Sequence, residues 1–467
     1  MKKTKIVSTL GPASTYVDTI VKLIEAGANV FRFNFSHGDH EEHLGRYNMV
    51  KEAEKITGKS VGILLDTKGA EIRTTPQKDG SQEYHTNDKV RISMDDTLET
   101  TKEKIAVTYD GLFDDVHVGG HVLFDDGLLD FKIDEKDDEN RELVAHATNN
   151  GVLGSRKGTN APGVSINLPG ITEKDADDIR FGLESMNINF IAASFVRKPQ
   201  DVLEIRELLE EKNMEDVQIF PKIESQEGID NTDEILKVSD GIMIARGDLG
   251  VEVPAADVPV IQKSVIRKCI TAGKVVITAT QMLESMQKNP RPTRAEVSDV
   301  ANAVFDGSDA VMLSGESAAG DYPVESVRTQ ADITVRAQSE VSYKRLSSYA
   351  AKAMEGTVEG AIGFSVTEAI SKLNTGAIVT ITRSGKSARM VSKFRPCVPV
   401  IALVPSAEVA RSLALNWGVY PIITNLDIDT DELYIKATDL AKKILDLKTG
   451  EHVVITAGIP KGHGHTN

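Results

Sequence analysis

Two parts of the chain, from the start to about residue 72 and from about 170 to 320, alternate short apolar runs with helix-length amphipathic segments. This alternation is typical of βα units. The apolar runs are rich in Val, Ile, Leu and Ala without a regular polar alternation, which indicates strands buried on both faces of a parallel sheet. Eight such runs predict an α/β fold, a (β/α)8 TIM barrel. The runs are residues 5–9, 30–34, 61–66, 190–194, 217–224, 241–248, 275–280 and 310–314.

Two helices of this barrel carry recognisable start signals. Thr172 precedes the acidic residues Asp175 and Asp177, and Thr293 has Glu296 three residues later. A hydroxyl before the helix and a carboxylate in its first turn satisfy backbone N–H groups that otherwise lack partners. The sequence therefore predicts helices that begin just after Thr172 and Thr293.

Two further regions depart from the βα pattern. Residues 73–165 contain short alternating stretches around an Asp126-Gly127 turn, which predicts antiparallel hairpins and a small β-barrel lid domain inserted after the third barrel strand. Residues 343–467 form a second series of strands and helices, which predicts a C-terminal α/β parallel-sheet domain. The TIM-barrel domain is then discontinuous and comprises residues 1–72 and 166–342.

Composition and charge narrow the class of protein. The chain has 467 residues, with 70 acidic and 54 basic side chains and a net charge of −16. That charge disfavours nucleic acid and anionic membranes, so an anionic substrate needs a local cluster of Lys and Arg. Cys269 and Cys397 are too few for a disulfide framework. With no apolar run of about 18 residues and no signal-peptide core, we expect a cytoplasmic protein.

Polar side chains end nearly every predicted barrel strand at its C-terminal end. One such residue alone is more often a solvated strand end or a helix cap. Together they lie on one rim, the face where TIM-barrel active sites are found. The set comprises Arg32, Asn34, Ser36, His37, Asp66, Thr67, Lys68, Glu71, Arg73, Lys222, Glu224, Arg246, Asp248, Thr280, Gln281, Ser314 and Glu316.

The residue types on this rim favour phosphoryl chemistry. Glu224 and Asp248 on adjacent strands supply two hard oxygen ligands for Mg²⁺ or Mn²⁺. No residue here is an obvious covalent nucleophile, and phosphoryl transfer needs little covalent help. Positive charge suited to phosphate comes from Arg32, Arg73 and Lys222. Oxygens suited to a monovalent cation come from Asn34, Ser36, Asp66 and Thr67.

Other catalytic motifs are missing from the sequence. It has no His-Glu-x-x-His, no Gly-x-Ser-x-Gly and no Gly-x-Gly-x-x-Gly after a strand, which argues against zinc and serine hydrolysis. The loop 382–387 is not a P-loop, since Thr380 replaces its first Gly. Its backbone, its hydroxyls and Lys386 suit either a phosphate or an ordinary turn. With the Gly-rich segment 458–464, it suggests a second anion site remote from the barrel.

Several segments resemble the pyruvate kinase family nearly end to end and in order. The resemblance is carried by residues 5–14 (KIVSTLGPAS), 32–38 (RFNFSHG), 65–69 (LDTKG), 154–158 (GSRKG), 245–250 (ARGDLG), 279–285 (ATQMLES) and 290–296 (PRPTRAE). It implies phosphoryl transfer from phosphoenolpyruvate to ADP, giving pyruvate and ATP in glycolysis. Glu224 and Asp248 would then hold Mg²⁺, while Asn34, Ser36, Asp66 and Thr67 would hold K⁺.

The resemblance also implies roles for the remaining rim residues. Arg32, Arg73 and Lys222 would embrace the transferring group, and the backbone of Gly247 and Asp248 would seat the substrate carboxylate. Thr280, with Ser314 as a relay and Glu316 ordering the path, would deliver a proton to the enolate carbon. The nucleotide would meet Pro12, Asn34, His37, Arg73, Asp126 and Lys157, the last two from a closing lid.

The same resemblance predicts regulation and assembly. A Glu at position 71 goes with dependence on K⁺ in this family, and the expected assembly is a homotetramer. A sugar phosphate is the expected allosteric activator. Its site would comprise Thr382, Ser384, Gly385, Lys386, Ser387, Lys461, Gly462, His463 and Gly464.

Two other functions remain open from the residues alone. A Mg²⁺-dependent lyase or aldolase acting on a 2-oxo acid also uses a Glu/Asp metal pair, but needs no ADP. A sugar-phosphate sensor could keep the barrel without turnover, although the intact Lys222, Glu224, Asp248 and Thr280 argue against it.

Overall fold

The computed structural model describes residues 1–353 and 357–457. Eight parallel strands, labelled here in chain order along the whole protein, close into a barrel in the order β1-β2-β3-β13-β14-β15-β16-β17. This confirms the predicted TIM barrel. The strands are β1 (Lys5–Thr9), β2 (Val30–Asn34), β3 (Gly62–Asp66), β13 (Phe190–Ala193), β14 (Gln218–Ile223), β15 (Gly241–Ala245), β16 (Val275–Ala279) and β17 (Ala310–Leu313).

Helices cover the outside of the barrel and pack their apolar faces on the strands. Both predicted helix starts are confirmed, since Thr172 and Thr293 each form a reciprocal cap with the carboxylate three residues later. Across the described residues, no helix combines the length and apolarity needed to cross a membrane. The helices are α1 (Val17–Ala26), α2 (His40–Thr57), α4 (Glu173–Ser185), α5 (Pro199–Glu211), α6 (Gln226–Asp230), α7 (Thr232–Val238), α8 (Arg246–Glu252), α9 (Val258–Ala272), α10 (Arg294–Asp306), α11 (Gly315–Ala318) and α12 (Pro323–Ala337).

The insertion after β3 is a β domain with its own core. A seven-stranded sheet runs in the order β4-β12-β8-β9-β10-β6-β7, and β5 pairs with β11 in a separate ribbon. The predicted Asp-Gly hairpin joins β8 to β9, with Asp126 and Gly127 both at positive φ. The elements are β4 (Ile72–Arg73), β5 (Ser81–Tyr84), β6 (Lys89–Ser93), β7 (Lys104–Ala106), α3 (Leu112–Asp115), β8 (His121–Phe124), β9 (Leu129–Asp137), β10 (Glu142–Ala147), β11 (Gly151–Gly154) and β12 (Gly158–Asn160).

The C-terminal region is a parallel four-stranded sheet in the order β20-β19-β18-β21, as predicted. Apolar side chains from both faces of this sheet pack against its helices. The elements that follow the barrel are α13 (Tyr343–Ala353), α14 (Val358–Lys372), β18 (Thr375–Ile381), α15 (Lys386–Ser392), β19 (Val400–Val404), α16 (Ala407–Ser412), β20 (Val419–Ile423), α17 (Thr430–Leu445) and β21 (His452–Ala457).

The C-terminal domain rests on the base of the barrel, where the strands begin. Arg395 donates to the Asp309 carboxylate across 2.6 Å, and both side chains are buried. Gln218, the first residue of β14, donates its side-chain amide to the Ser412 carbonyl at 2.8 Å. The C-terminal domain therefore covers the base of the barrel. Its described residues do not cover the opposite rim, where the C-terminal strand ends lie.

Candidate active site

Four charged side chains at or just beyond the C-terminal ends of β2, β3 and β14 meet at the mouth of the barrel. The Arg32 guanidinium hydrogen-bonds to the Asp66 carboxylate. The Lys222 ammonium lies 3.0 Å from Glu224 Oε1 and 3.4 Å from Asp66 Oδ1. All four side chains are almost fully buried. Positive and negative charges alternate in this cluster. Their mutual attraction offsets the desolvation cost that burial would impose on any one of these groups alone.

Burial and partners determine the protonation of this cluster. Burial disfavours the charged form of Lys222, but Asp66 and Glu224 outweigh it and raise the Lys222 pKa above its usual value. Burial also opposes ionisation of Asp66, yet Arg32 and Lys222 hold the Asp66 pKa below its usual value. Both groups are therefore charged at neutral pH. For Glu224, burial dominates over Lys222 and raises the pKa to about 7, with Asp248 adding to the rise.

Glu224 and Asp248 offer oxygens that suit a divalent cation. Glu224 Oε2 accepts a hydrogen bond from the backbone N–H of Phe195 at 2.7 Å. Its Oε1 is buried and accepts no hydrogen bond from any described residue, although the Lys222 ammonium is near. Asp248 lines the same cleft. Two carboxylates with an unused, buried oxygen fit the hard-ligand preference of Mg²⁺.

Thr280 is held in a strained backbone conformation beside Gly247. Its φ is +67°, which is an outlier for a β-branched residue. The Thr280 hydroxyl accepts the Gly247 N–H at 2.7 Å and donates to the Ala279 carbonyl at 2.6 Å. Arg246 is buried beneath it, donates to the Thr280 carbonyl at 2.7 Å and pairs with Asp299. These contacts fix Thr280 at the rim.

Glu316 links the ends of β16 and β17 from a fully buried position. Its carboxylate accepts the backbone N–H of Leu283 at 3.0 Å and of Ser314 at 2.8 Å. The Ser314 hydroxyl is buried and has no hydrogen-bond partner among the described residues. The two side chains therefore share one local network next to the rim.

The four oxygen-bearing residues expected to bind a monovalent cation lie at the ends of two paired strands. Asn34 of β2 is opposite Asp66 of β3 in the sheet register. Asn34 Oδ1 accepts the Ser36 N–H at 3.2 Å, and Thr67 Oγ1 accepts the Ser194 N–H at 3.0 Å. Ser36 is exposed while Asp66 and Thr67 are buried. The four residues therefore extend from the buried mouth of the barrel to the solvent-exposed surface.

The lid brings further predicted residues over the mouth. Asp126 lines a cleft of about 270 Å³ together with Glu224, Asp248 and Glu71. Burial, and then the charges of Asp248 and Asp125, raise the Asp126 pKa. Lys157 pairs with Asp125 at 3.0 Å rather than with Asp126.

The hinge of the lid and the outer rim hold the remaining predicted nucleotide contacts. Arg73 binds the Glu71 carboxylate with two nitrogens, at 2.7 and 3.0 Å, and donates to the Arg156 carbonyl at 2.8 Å. Pro12 and His37 are exposed on the rim. The cleft is therefore bounded by the barrel below and by the lid above.

The predicted effector loop lies in the C-terminal domain, between β18 and α15. Thr382 is buried, Gly385 has a φ of +81° and caps α15, and Lys386 and Ser387 are its first helical residues. Arg389 donates to the Ser384 carbonyl at 3.1 Å. The facing segment predicted for this site, Lys461, Gly462, His463 and Gly464, lies outside the described residues.

Sequence reasoning missed Ser194, which organises the rim, and assigned no role to Arg246. Ser194 accepts a hydrogen bond from Lys222 at 2.9 Å and donates to the Thr67 carbonyl at 2.6 Å. Its position at the end of the fourth apolar run is the same signal that identified the other rim residues. Arg246 was noticed only as part of a strand end, although it holds Thr280. Residues 246–248 begin helix α8, so the prediction that they continue β15 was wrong.

Known proteins match both parts of this chain. The family described as "Pyruvate kinase, barrel domain" matches residues 1–327, and "Pyruvate kinase, alpha/beta domain" matches residues 360–467. The pyruvate kinase of Lactobacillus delbrueckii subsp. bulgaricus is 59% identical over 468 residues, covering 100% of this chain and 79% of that relative. The pyruvate kinase of Bacillus licheniformis is 53% identical over 467 residues, covering 100% and 80%.

A solved structure matches the fold as well. The crystal structure of a pyruvate kinase from Cryptosporidium parvum has a TM-score of 0.94 to this chain at 39% sequence identity. The match covers 98% of this chain and 94% of that one. Barrel, lid and C-terminal domain are therefore shared with one experimentally determined protein.

Proposed function

The chain belongs to the pyruvate kinase family, and from this premise we propose how its own residues transfer a phosphoryl group from phosphoenolpyruvate to ADP. The observation that carries the proposal is the buried cluster of Arg32, Asp66, Lys222 and Glu224 beneath the lid. A substrate with three negative charges needs such cations in a protein whose net charge is −16.

Lys222 and Arg32 bind the phosphoryl group that moves. Lys222 is charged at neutral pH because Asp66 and Glu224 outweigh its burial. Its ammonium is fixed by Ser194 and Glu224. Charge fixed before the reaction stabilises the phosphoryl oxygens without reorganisation during transfer, which is the main source of catalysis in this chemistry.

Glu224 and Asp248 would hold Mg²⁺ or Mn²⁺. Glu224 Oε1 accepts no hydrogen bond from any described residue and has only the nearby Lys222 ammonium as an ionic partner, and Asp248 lines the same cleft; both observations support this assignment. When bound, the cation neutralises charge on the substrate oxygens. The Phe195 N–H donates to Oε2 and so fixes the orientation of the Glu224 carboxylate.

Asn34, Ser36, Asp66 and Thr67 would hold K⁺. Their place at two paired strand ends supports the assignment, and Glu71 agrees with it. Glu71 is engaged by Arg73 and lies 3.5 Å from Lys68, so these two cations are already neutralised in part by a carboxylate. A Glu at position 71 goes with K⁺ dependence in this family, so we infer that bound K⁺ supplies further positive charge near the transferred group.

Thr280, Ser314 and Glu316 serve the proton that the enolate carbon receives. The Thr280 hydroxyl lies at the rim next to Gly247, whose backbone with that of Asp248 seats the substrate carboxylate. No described residue hydrogen-bonds to the Ser314 hydroxyl, which would act as the relay, and Glu316 accepts the Ser314 backbone N–H. The nucleotide lies between the barrel and the lid, against Pro12, Asn34, His37, Arg73, Asp126 and Lys157.

We also propose activation by a sugar phosphate at the C-terminal loop. Backbone N–H groups at the start of α15, with Ser384 and Lys386, suit a phosphate. Exposed Val358, Ile362 and Phe364 on α14 support assembly into a homotetramer, because apolar surface of this kind favours subunit contacts. Free Cys269 and Cys397 fit a reducing cytoplasm.

One assay tests the proposed function: pyruvate formation from phosphoenolpyruvate with and without ADP, Mg²⁺ and K⁺. We expect turnover only with ADP and Mg²⁺, and a clear loss when a large organic cation replaces K⁺. Turnover that ignores ADP would indicate a lyase, and no turnover would indicate a sensor. An unchanged rate after the cation exchange would refute the K⁺ site alone.

A further inference from the structure

A side chain from the lid reaches across the cleft to the barrel. Asn160, the last residue of β12, donates its side-chain amide to Glu252 Oε1 across 2.7 Å. Both residues line the cleft that also holds Glu224 and Asp248. Neither was among the residues expected to act at this site. The contact joins the lid, which has its own hydrophobic core, to the barrel at this cleft.

Glu252 is the last residue of α8, whose first turn contains Asp248. Residues four apart lie on the same face of a helix, so Asp248 and Glu252 both face the cleft. The start of α8 is fixed from the barrel, because Arg246 pairs with Asp299 and donates to Thr280. The end of α8 is held from the lid, by Asn160.

The lid side of this contact is rigidly connected to the turn above the cleft. Asn160 pairs with Leu123 of β8, and β8 leads directly into the turn with Asp126 and Gly127. That turn also packs near α8, since a side-chain carbon added at Gly127 would lie 3.5 Å from Val251. Movement at Asn160 therefore moves the turn that covers the cleft.

We propose that the Asn160–Glu252 hydrogen bond is the latch that holds the lid closed and aligns α8 beneath it. Both are positioning residues: they set the place of Asp126 above the cleft and of Asp248 below it. The proposal rests on the proposed position of the nucleotide between lid and barrel. Opening the latch should weaken ADP binding far more than phosphoenolpyruvate binding, because the proposed phosphoenolpyruvate contacts come mainly from the barrel.

The test compares steady-state kinetics of single and paired variants. For Asn160→Ala we expect the KM for ADP to rise roughly tenfold, while the KM for phosphoenolpyruvate stays within about twofold. Asn160→Asp should be worse, since it places a carboxylate against Glu252. Combining Asn160→Asp with Glu252→Gln reverses donor and acceptor, and we expect it to restore most of the ADP affinity.

A matched control comes from a second contact on the lid side. The Thr86 hydroxyl donates to Asn150 Oδ1 at 3.1 Å in an exposed position, and neither residue lines the cleft, so Thr86→Ala should change neither KM by more than about twofold. Limited proteolysis gives an independent readout. Asn160→Ala should make the lid more readily cleaved in the presence of MgADP, and the reversed pair should restore protection.

The possible failures can be told apart. A normal ADP KM and normal protease protection in Asn160→Ala would overturn the latch, as would a reversed pair no better than Asn160→Asp alone. Lys157→Ala serves as the reference for the nucleotide position. If Lys157→Ala raises the ADP KM but Asn160→Ala does not, only the latch is wrong. If neither variant changes it, the nucleotide does not lie beneath the lid and both proposals fall.

Discussion

Replacing Lys222 should slow phosphoryl transfer while leaving metal binding nearly unchanged. The change Lys222→Met removes the ammonium but leaves Asp66 its Arg32 partner and Glu224 its hydrogen bond from Phe195. We expect kcat to fall by about 10²- to 10³-fold, the usual cost of removing preorganised charge from a transition state. Titration with Mn²⁺ should show a dissociation constant within a few-fold of the unaltered protein.

The control for this prediction is Lys237→Met, since the Lys237 side chain is 67% exposed and pairs only with Glu234 among the described residues. Its kcat should not change. Near-normal turnover in Lys222→Met would mean that its role is misassigned, whereas loss of Mn²⁺ binding would mean that the ammonium mainly organises the carboxylates.

Single residues show where sequence reasoning succeeds and where it stops. Polar residues at strand ends could be placed on the rim, because barrel geometry carries every C-terminal strand end to one face. The +67° φ of Thr280 could not be foreseen, because it depends on the Arg246 and Gly247 contacts. The Asn160–Glu252 contact was equally hidden, since it spans 92 positions and joins two domains.

At the scale of a single element, the capping hydrogen bonds of helix α10 can be tested by mutation. Thr293 Oγ1 accepts the Glu296 N–H at 3.2 Å, and Glu296 accepts the Thr293 N–H at 2.7 Å. Glu296 also accepts two hydrogen bonds from Ser285, both at 2.6 Å. We expect Thr293→Ala to cost about 1 kcal/mol and Glu296→Ala about 2 kcal/mol, because the second change leaves more donors unpaired.

The measurement is the thermal midpoint followed by circular dichroism, with Thr57→Ala as the control. Thr57 ends α2, and its hydroxyl donates to the Ala53 carbonyl and accepts the exposed Lys59 N–H at 3.3 Å. It should shift stability by no more than about 0.5 kcal/mol. Equal midpoints for the two α10 variants would contradict the account, since Glu296 would then contribute nothing beyond the cap.

The element scale also explains the strand whose predicted end lies furthest from the observed one, which is β15. Residues 241–248 read as a single apolar run with a polar end, and periodicity cannot separate a strand from a short helix that follows it directly. In the structure β15 ends at Ala245, whose ψ of 87° departs from that of a regular strand. The next side chain, Arg246, is buried and contacts Asp299 and the Thr280 carbonyl. Tertiary contacts of Arg246 decide the boundary.

At the scale of the whole molecule, the number and type of domains followed from pattern, but their contacts did not. The barrel and the C-terminal domain meet through pairs such as Arg411 with Glu54 and Arg395 with Asp309. Such partners are up to 357 positions apart. Sequence periodicity reports only on nearby residues and cannot predict these long-range pairs. The contact between the C-terminal domain and the base of the barrel could therefore be found only from the structure.

Lys5 gives this interface a measurable pH dependence. Its ammonium is buried, hydrogen-bonds to the Val419 carbonyl and lies 4.5 Å from the Tyr420 ring centre. Within the described chain, no carboxylate lies within salt-bridge distance of it, and burial lowers its pKa to about 7. The unfolded chain has the ordinary, higher Lys pKa, so between pH 7 and 10 it binds more protons than the folded chain, and stability contributed by Lys5 rises with pH.

Replacing Lys5 removes that dependence. We expect the free energy of unfolding of the unaltered protein, relative to Lys5→Met, to increase by about 2 kcal/mol from pH 7 to pH 9. The single tryptophan, Trp417, is buried in the same interface and donates its backbone N–H to Asp309, so its fluorescence reports this part of the molecule during urea denaturation. Parallel pH profiles for the two proteins would show that Lys5 is not the group that titrates. The replacement also removes the Lys5 charge that, after burial, lowers the pKa of Lys2, so Lys2→Met is measured alongside as the control.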